Sequence, residues 1–276
     1  MTRCIPKNMS ASPRRPRTGL QLYTLRHRLE RSVDDALRVA EAAGYRHVEL
    51  FGGWWGLSPG EWSRALDSRG LRALAAHVPL QAVEGDAAPS TVEQLSVIGC
   101  DRLIVPWVDL ELRTTSEDCA RLGRRLDRAG YALKARSAHL GYHNHDFELR
   151  SPTRDGLDRI VSEMSHAGMF VELDVFWAAW AGQDPVRLVR GFGRRLRYLH
   201  VKDGRLDVGA DPDTAELLPT GEGDLPMREI LDAAVAVGVE AVFVELDRIP
   251  GGEENDLEVL RTSREYLEST LRELVP

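Results

Sequence analysis

Short apolar runs alternate with amphipathic stretches from Gly19 to the end of the chain. The cores of these runs are rich in Val, Leu, Ile and Tyr, and they lack the strict polar–apolar alternation of a sheet with one solvated face. Strands that are buried on both faces have this pattern, as in parallel sheets. The runs lie at residues 20–23, 47–51, 71–78, 102–106, 140–143, 170–174, 196–201 and 241–246. The pattern therefore predicts eight parallel strands.

Helical patterns fill the gaps between the predicted strands. Gly44 follows one of them as a typical C-terminal residue. Ser58-Pro59 and Asp184-Pro185 each combine an N-cap side chain with a first-turn proline. Strand–helix alternation repeated eight times over about 255 residues is the expected pattern of a (β/α)8 TIM barrel. We therefore predict an α/β fold with a single barrel domain over residues 19–276.

A doubly wound open sheet is the alternative α/β fold. Such a sheet usually carries a glycine-rich dinucleotide turn after its first strand. Residues 21–25 read Gln-Leu-Tyr-Thr-Leu and contain no glycine. The sequence shows no second domain and no internal repeat beyond the strand–helix period, so the barrel is the favoured architecture.

The first eighteen residues differ from the rest, with three prolines, five basic residues and no acid. We predict a disordered arm over residues 1–18 and no signal peptide, because an apolar core segment is missing. Without the arm, 31 basic residues face 43 acidic ones, a net charge of −12. That charge repels nucleic-acid phosphates, so no nucleic-acid partner is expected. No apolar run approaches the roughly 20 residues of a membrane helix, so no membrane partner is expected.

The chain has three scattered cysteines, Cys4, Cys100 and Cys119. Their spacing fits neither a disulfide framework nor a zinc knuckle. A reducing, cytoplasmic location is the natural expectation for such a chain.

Ligand-type side chains gather at the predicted strand ends, where barrels carry their catalytic residues. Three consecutive strands supply Asp174, His200 and Glu245. Strand alternation puts Glu172 on the face of Asp174, and Asp247 on the face of Glu245. One such acid alone would be interpreted as a helix cap or an ion-pair partner, but a carboxylate inside an apolar strand is costly unless it is paired or binds metal. We predict one divalent metal, with Mn²⁺ first and Co²⁺, Zn²⁺, Fe²⁺ or Mg²⁺ as alternatives.

Other side chains near the strand ends are candidate substrate contacts. A lone histidine such as His77 is equally typical of a packed core, and the tryptophans after strands four and six are also compatible with loop packing. In the functional interpretation, these tryptophans are walls on which a sugar ring stacks. The segment Gly221-Glu222-Gly223-Asp224 weakly resembles a phosphate-cradling turn, and a loop that positions the last helix explains it equally well. The candidate substrate-binding residues are Glu49, His77, Trp107, Glu148, Trp177 and Lys202.

Several motifs together resemble one known family. From about Gly19 to its end, the chain resembles the sugar phosphate isomerases/epimerases of the xylose-isomerase-like barrel superfamily, in a Tyr-His-Asn-His subgroup related to inosose dehydratases and ketose 3-epimerases. The resemblance is carried by residues 20–24 (Leu-Gln-Leu-Tyr-Thr), 48–51 (Val-Glu-Leu-Phe), 141–148 (Gly-Tyr-His-Asn-His-Asp-Phe-Glu), 172–174 (Glu-Leu-Asp), 199–203 (Leu-His-Val-Lys-Asp), 221–223 (Gly-Glu-Gly) and 244–245 (Val-Glu).

The resemblance implies a metal held by four side chains from strands five to eight. Asp174, His200 and Glu245 match three of these ligands. Many relatives carry a glutamate at the end of strand five, where this chain has the Tyr-His-Asn-His motif. His143 is the favoured substitute, and His145 and Glu148 are the other candidates.

The resemblance also implies the chemistry. The metal would activate the C–H bond next to a carbonyl of a sugar or keto-polyol, and Glu245, His143 or His145 would move the proton. Returning the proton elsewhere gives isomerisation or epimerisation. Losing a β-hydroxyl instead gives dehydration, as in inosose and dehydroshikimate dehydratases, with His145 or His77 protonating the leaving group.

Two departures from the relatives limit this expectation. Ketose 3-epimerases carry a histidine three residues after the metal-binding aspartate, where this chain has Trp177, and their second glutamate base is missing. A two-glutamate epimerase is therefore disfavoured. A non-catalytic sugar-binding barrel and an abasic-site endonuclease are the rival hypotheses, and the negative charge argues against the endonuclease. The expected partner is a small-molecule sugar or keto-polyol, and a homo-oligomer remains compatible with the sequence.

Overall fold

The computed structural model describes residues 14–150, 155–165, 168–208 and 210–276. The strands are β1 (Arg17–Gln21), β2 (His47–Leu50), β3 (Arg72–His77), β4 (Arg102–Val105), β5 (His139–His143), β6 (Phe170–Asp174), β7 (Leu196–His200), β8 (Asp203–Arg205), β9 (Glu216–Leu218) and β10 (Ala241–Val244). Eight of them are parallel and close into a barrel in the spatial order β1-β10-β7-β6-β5-β4-β3-β2, and β8 and β9 form an antiparallel pair beside it. The predicted (β/α)8 barrel is confirmed.

Helices surround the barrel and follow its strands. The helices are α1 (Arg26–Leu29), α2 (Val33–Ala42), α3 (Pro59–Ser68), α4 (Ala87–Val97), α5 (Ser116–Lys134), α6 (Gly156–Glu163), α7 (Val175–Trp180), α8 (Pro185–Phe192), α9 (Met227–Val237) and α10 (Asp256–Leu274). Short 3-10 turns lie at Leu22–Leu25, Leu80–Val83, Leu110–Leu112, Gly193–Arg195, Pro212–Thr214 and Glu253–Asn255. No helix in the described part of the chain is both long enough and apolar enough to cross a bilayer.

The helix starts follow the capping signals of the sequence. Ser58 accepts a hydrogen bond from the backbone N–H of Glu61, whose carboxylate accepts one from the backbone N–H of Ser58. This reciprocal pair satisfies donors that the first turn of a helix leaves unpaired. At α8, Asp184 also satisfies first-turn donors, because its side chain accepts hydrogen bonds from the backbone N–H groups of Val186 and Arg187. Both predicted helix starts are confirmed.

Strand β1 differs from its predicted bounds. It begins at Arg17, which pairs with Ala241 of β10, and ends at Gln21. The side chain of Gln21 accepts a hydrogen bond from the backbone N–H of Tyr23, which starts a 3-10 turn where the apolar pattern had suggested strand. Part of the predicted arm thus belongs to the barrel, and residues 1–13 of that arm lie outside the described residues.

Aromatic and aliphatic side chains fill the N-terminal half of the barrel interior. Phe170, Tyr198 and Phe243 pack there with smaller residues from neighbouring strands. Glycines make room for these rings, since a Cβ atom at Gly141 would lie 2.5 Å from the ring of Phe170. Side chains alternate along a strand, so the inward positions that follow these rings lie nearer the C-terminal end of the barrel. The polar inward residues therefore lie at the C-terminal end of the barrel, above this apolar floor.

The segment 221–224 has a structural role, which decides between its two interpretations. The buried carboxylate of Asp203 accepts hydrogen bonds from the N–H groups of Gly204, Gly221, Gly223 and Leu225. These donors are therefore occupied by an anion that belongs to the chain itself. The turn leads into α9, so a loop role is supported, although the helix that follows is α9 and not the last helix of the chain.

We expect Gly223→Ala to destabilise the protein by about 1–3 kcal/mol. A Cβ atom at this position would overlap the carboxylate of Asp203 and the backbone nitrogen of Gly204. Gly191→Ala is the matched control, because no atom lies within 4 Å of the added Cβ and the residue is helical. The free energy of unfolding, measured in urea, should fall in the first variant and stay equal or rise in the second. Equal stabilities would show that the Asp203 loop is not tightly packed.

Candidate metal centre

Four side chains converge at the C-terminal end of the barrel: His143, Asp174, His200 and Glu245. One ligand atom from each lies within 4.8 Å of the others, and all four side chains are buried. His143, Asp174 and His200 are the last residues of β5, β6 and β7, and Glu245 directly follows β10. These strands are neighbours in the barrel, so residues that are far apart in the chain meet at one point. The structure thus brings together the four residues that were predicted as ligands.

Lys202 provides positive charge beside this cluster. Its Nζ lies 3.3 Å from Asp174 Oδ2, 3.1 Å from Glu245 Oε2 and 2.6 Å from Asp247 Oδ2. Burial alone would lower the pKa of Lys202, but the three carboxylates outweigh it and raise the pKa. Burial opposes ionisation of Glu245, and Lys202 and His200 outweigh it, so the pKa of Glu245 lies well below its ordinary value. Lys202 and Glu245 are therefore a charged pair at neutral pH.

Two buried ligand-type atoms of the cluster have charged neighbours but no hydrogen bond within the described part of the chain, which fits a divalent metal. Asp174 Oδ1 accepts the backbone N–H of Trp177 at 2.9 Å, and Asn144 Oδ1 accepts the N–H of Asp174 at 3.0 Å. This fixes the carboxylate, and the buried Asp174 Oδ2 has no hydrogen bond among the described residues, with Lys202 Nζ 3.3 Å away. His143 Nδ1 is also buried without a hydrogen bond to any described residue, with Glu172 Oε2 3.2 Å away. Burial lowers the pKa of His143 to about 3, so its imidazole is neutral, as metal binding requires.

Glu172 is the central residue that the sequence-based site did not include. Its Oε2 lies 2.7 Å from His77 Nε2, 3.2 Å from His143 Nδ1 and 3.2 Å from His200 Nε2. These four residues form a second group whose ligand atoms also lie within 4.8 Å of one another. The available signal was strand alternation, which places Glu172 on the same face of β6 as Asp174.

Glu49 contacts the same nitrogen of His200 as Glu172 does. Glu49 Oε2 lies 2.7 Å from His200 Nε2 and accepts a 2.6 Å hydrogen bond from Gln21 Nε2. His200 Nδ1, on the opposite side of the ring, lies 2.9 Å from Glu245 Oε2. Burial and the charge of Glu172 raise the pKa of Glu49 to about 7. A carboxylate on one imidazole nitrogen orients the ring so that the other nitrogen faces a metal.

Glu148 lies in the turn after β5, and both of its carboxylate oxygens are used there. Oε1 accepts the Tyr142 hydroxyl at 2.6 Å, and Oε2 accepts the backbone N–H of His145 at 2.9 Å. The ring of His145 stacks on Phe147, with 5.2 Å between the centroids, and lies 5.1 Å from the ring of His143. Glu148 therefore shapes this turn, and its position favours a structural role over the predicted substrate contact.

The two candidate tryptophans lie in different environments. Trp177 is buried, its ring centroid lies 5.1 Å from Lys202 Nζ, and it lines a cavity of about 390 Å³ at the mouth of the barrel. Tyr23, Arg26 and Asp247 line the same cavity. Trp107 is 50% exposed on the rim. Trp177 therefore lies beside Lys202 and the candidate metal centre, whereas Trp107 is half open to solvent.

We expect Glu148→Gln to change how stability depends on pH. Burial raises the pKa of Glu148 to about 8, although Tyr142 and the N–H of His145 oppose it. Between its ordinary value of 4.5 and about 8, the folded protein holds a proton that the unfolded chain has lost, so the free energy of unfolding falls as pH rises. A glutamine stays neutral and can donate to the Tyr142 hydroxyl and accept from the N–H of His145. The substitution should therefore remove this pH-dependent loss of stability.

Urea denaturation of both proteins at pH 5, 7 and 8.5 checks this expectation. Above about pH 8, Glu148→Gln should be more stable than the wild type by up to a few kcal/mol, since one pKa unit corresponds to about 1.4 kcal/mol. The exposed Glu222→Gln is the control and should keep the wild-type slope. If Glu148→Gln kept that slope as well, Glu148 would be ionised in the folded protein.

Three comparisons with known proteins agree with this fold. A solved sugar phosphate isomerase/epimerase from Parabacteroides distasonis superposes with a TM-score of 0.76 at 22% identity, covering 99% of this chain and 100% of that chain. A solved IOLI protein with a bound zinc atom gives a TM-score of 0.74 at 14% identity, covering 93% and 98% of the two chains. At these identities, the likeness shows the fold.

A curated relative, the inosose dehydratase of Clostridium tetani, is 23% identical over 167 residues, which are 56% of this chain and 55% of the relative. The chain thus aligns with little more than half the length of that relative. The family model of the xylose isomerase-like TIM barrel matches residues 37–270. This match covers most of the chain, and the chain therefore belongs to the family of xylose isomerase-like TIM barrels.

Proposed function

We propose that the protein is a divalent-metal-dependent isomerase or epimerase that moves a proton next to the carbonyl of a sugar-like keto-polyol. The convergence of His143, Asp174, His200 and Glu245 within 4.8 Å carries this proposal. Two histidines and two carboxylates form a donor set that suits divalent ions from Mn²⁺ to Zn²⁺. The similarity to a sugar phosphate isomerase/epimerase and to a zinc-containing IOLI protein supports it.

His143, Asp174, His200 and Glu245 would hold the ion, and Mn²⁺ is the first to test. When bound, the ion supplies Lewis acidity that polarises the substrate carbonyl and acidifies the neighbouring C–H bond. Glu49 and Glu172 hold the imidazole rings in place from behind. A mutation of either would therefore act through the ligands and not on the substrate.

Glu245 is our first candidate for the group that accepts the proton. Its carboxylate is ionised at neutral pH because Lys202 and His200 lower its pKa, and the side chain lies at the mouth of the barrel. His145, and His143 where it is not engaged with the metal, are the candidates that relay the proton on the opposite side. Burial lowers the pKa of both, so both rings are neutral at neutral pH and would hold the relayed proton only transiently.

We place the substrate in the cavity that Trp177 lines at the mouth of the barrel, which we call the mouth cavity. Its volume of about 390 Å³ suits a small molecule, since ligand pockets start near 300 Å³. Trp177 offers an apolar wall, and the Tyr23 hydroxyl and the Arg26 guanidinium are polar groups that can contact sugar hydroxyls. The four candidate ligands do not line this cavity themselves, but Lys202, which contacts Trp177, also lies beside Asp174 and Glu245 and so connects the cavity with them.

Dehydration is the second candidate function, and the similarity to an inosose dehydratase favours it. The first proton abstraction would be the same. A histidine such as His145 or His77 would then protonate a departing β-hydroxyl. Burial would lower the pKa of His77, but Glu49 and Glu172 outweigh it and raise the pKa, so His77 can donate this proton, whereas the neutral His145 can donate only a proton that it has first accepted.

One experiment tests both functions. Keto-sugars, inososes and 3-oxo-glycosides are incubated in heavy water with protein loaded with Mn²⁺, Co²⁺ or Zn²⁺, and are followed by NMR and mass spectrometry. Isomerisation or epimerisation places deuterium in an isomer of unchanged composition. Dehydration releases water and forms an unsaturated ketone or its tautomer. If no substrate exchanges a proton with any of these metals, the enzymatic proposal fails and a sugar-binding barrel becomes the better hypothesis.

We expect Glu245→Gln to lose turnover by roughly 10²–10⁴-fold, because the amide cannot accept the proton. Asp174→Asn should mainly weaken metal binding, so excess Mn²⁺ should partly restore its activity. Metal content is measured in the same samples by mass spectrometry. Full recovery of both variants in excess metal would mean that Glu245 is only a ligand, and that the base lies elsewhere.

We expect His143→Asn to weaken metal binding by at least about 10-fold, which is the loss caused by removing a group that merely orients a ligand. His145→Asn is the matched control, because His145 is absent from both groups of converging ligand atoms. Titration calorimetry with Mn²⁺ compares the two. A large loss in His145→Asn with none in His143→Asn would move the fourth ligand to His145.

A further inference from the structure

A second cavity lies beside the candidate metal centre and differs from the mouth cavity in its chemistry. Its volume is about 180 Å³, and Leu50, Phe51, Trp54, Trp62, Pro79 and Leu95 form much of its wall. Leu50 ends β2 and His77, which also lines it, ends β3. The cavity is therefore at the same end of the barrel as the converging ligands.

The polar side chains that line this cavity already have partners within the protein. Trp54 Nε1 donates to Gln94 Oε1 at 3.1 Å, and Trp62 Nε1 donates to the backbone oxygen of Trp54 at 2.9 Å. Thr91 donates to the backbone oxygen of Ala87 at 3.1 Å. These groups have little capacity left to form hydrogen bonds with a polar ligand. A sugar ring placed here would lose hydrogen bonds that the wall does not replace, which is costly.

An apolar guest fits the same space. An apolar cavity of roughly 150 Å³ remains dry and can bind benzene. The volume here is slightly larger, so a single aromatic ring or a short branched alkyl group can fill it. Burying such a group removes apolar surface from water at roughly 25 cal/mol per Å².

Two contacts connect the cavity with the candidate metal centre. His77 lines the cavity, and its Nε2 lies 2.7 Å from Glu172 Oε2 in the histidine cluster. Phe51 also lines the cavity and packs edge-on against Tyr23, with 4.6 Å between the ring centroids. Tyr23 lines the mouth cavity. The two cavities are thus neighbours, separated by one aromatic pair.

We propose that this cavity is a subsite for an apolar substituent of the substrate, such as the aromatic aglycone of a keto-glycoside. The inference rests on the proposed function, because it places the sugar part in the mouth cavity. The substituent extends past the Tyr23–Phe51 pair into the 180 Å³ cavity. The substrate class is therefore a sugar-like carbonyl compound with one ring-sized apolar group.

Benzene is the first probe, and its binding to the metal-loaded full chain is measured by NMR titration. Ala82 and Thr91 line the cavity, so Ala82→Leu and Thr91→Leu fill it from two different elements. Each should weaken benzene binding by at least about 10-fold, the lower end for a changed apolar contact. Ala87→Leu is the control, because Ala87 is exposed at the start of α4 and does not line the cavity. Thermal unfolding verifies that each variant is folded.

The second probe is a pair of ligands, phenyl β-glucoside and methyl β-glucoside. The phenyl compound should displace benzene and bind at least about 10-fold more tightly than the methyl compound, and Ala82→Leu or Thr91→Leu should remove this difference. No benzene binding, or equal binding of the two glucosides, would overturn the proposal. These readouts need no turnover. Phenyl-selective binding without proton exchange on any substrate would therefore retain the subsite and reject the proposed reaction.

Discussion

The stability of the C-terminal end of the barrel depends on how the negative charge of its buried carboxylates is compensated. Glu49, Glu172 and Asp174 are fully buried, and Glu245 is nearly so. An ionised carboxylate that leaves water is stable only with opposite charge and hydrogen bonds around it. Lys202 and the surrounding imidazoles provide part of that compensation. Asp174 Oδ2 has no hydrogen bond among the described residues and lies 3.3 Å from Lys202 Nζ, so a bound cation would add to that compensation.

The apolar floor of the barrel strengthens these interactions. Phe170, Tyr198 and Phe243 each stand two positions before a polar residue on the same strand or its extension, so each ring lies beneath a charged or ionisable group. Charges interact more strongly where water and mobile dipoles are absent. The same floor keeps His143 neutral through burial, which leaves its lone pair available to a metal. The packing of the core therefore contributes directly to the charge states of the residues at the mouth of the barrel.

Much of the fold follows from local patterns. The apolar runs locate the barrel strands because a parallel strand buries both faces and so needs apolar residues at nearly every position. Ser58 and Asp184 mark helix starts because a capping side chain acts on its own neighbours. The start of β1 at Arg17 is different, since it follows from pairing with Ala241, more than two hundred residues away. The role of the turn around Gly223 likewise depends on Asp203, which lies 20 residues earlier in the chain.

The candidate site likewise has some features that follow from local patterns and others that only the tertiary structure shows. The sequence by itself determined that Asp174, His200 and Glu245 lie at or just after the ends of neighbouring strands, because parallel strands place their C-terminal ends together. Only the tertiary structure decided that Glu172 sits among three imidazoles from different strands, and that the oxygens of Glu148 are used within its own turn. Alternation along a strand is local and can be read from the chain. The distances between side chains on different strands depend on barrel closure and on side-chain rotamers, which no local pattern contains.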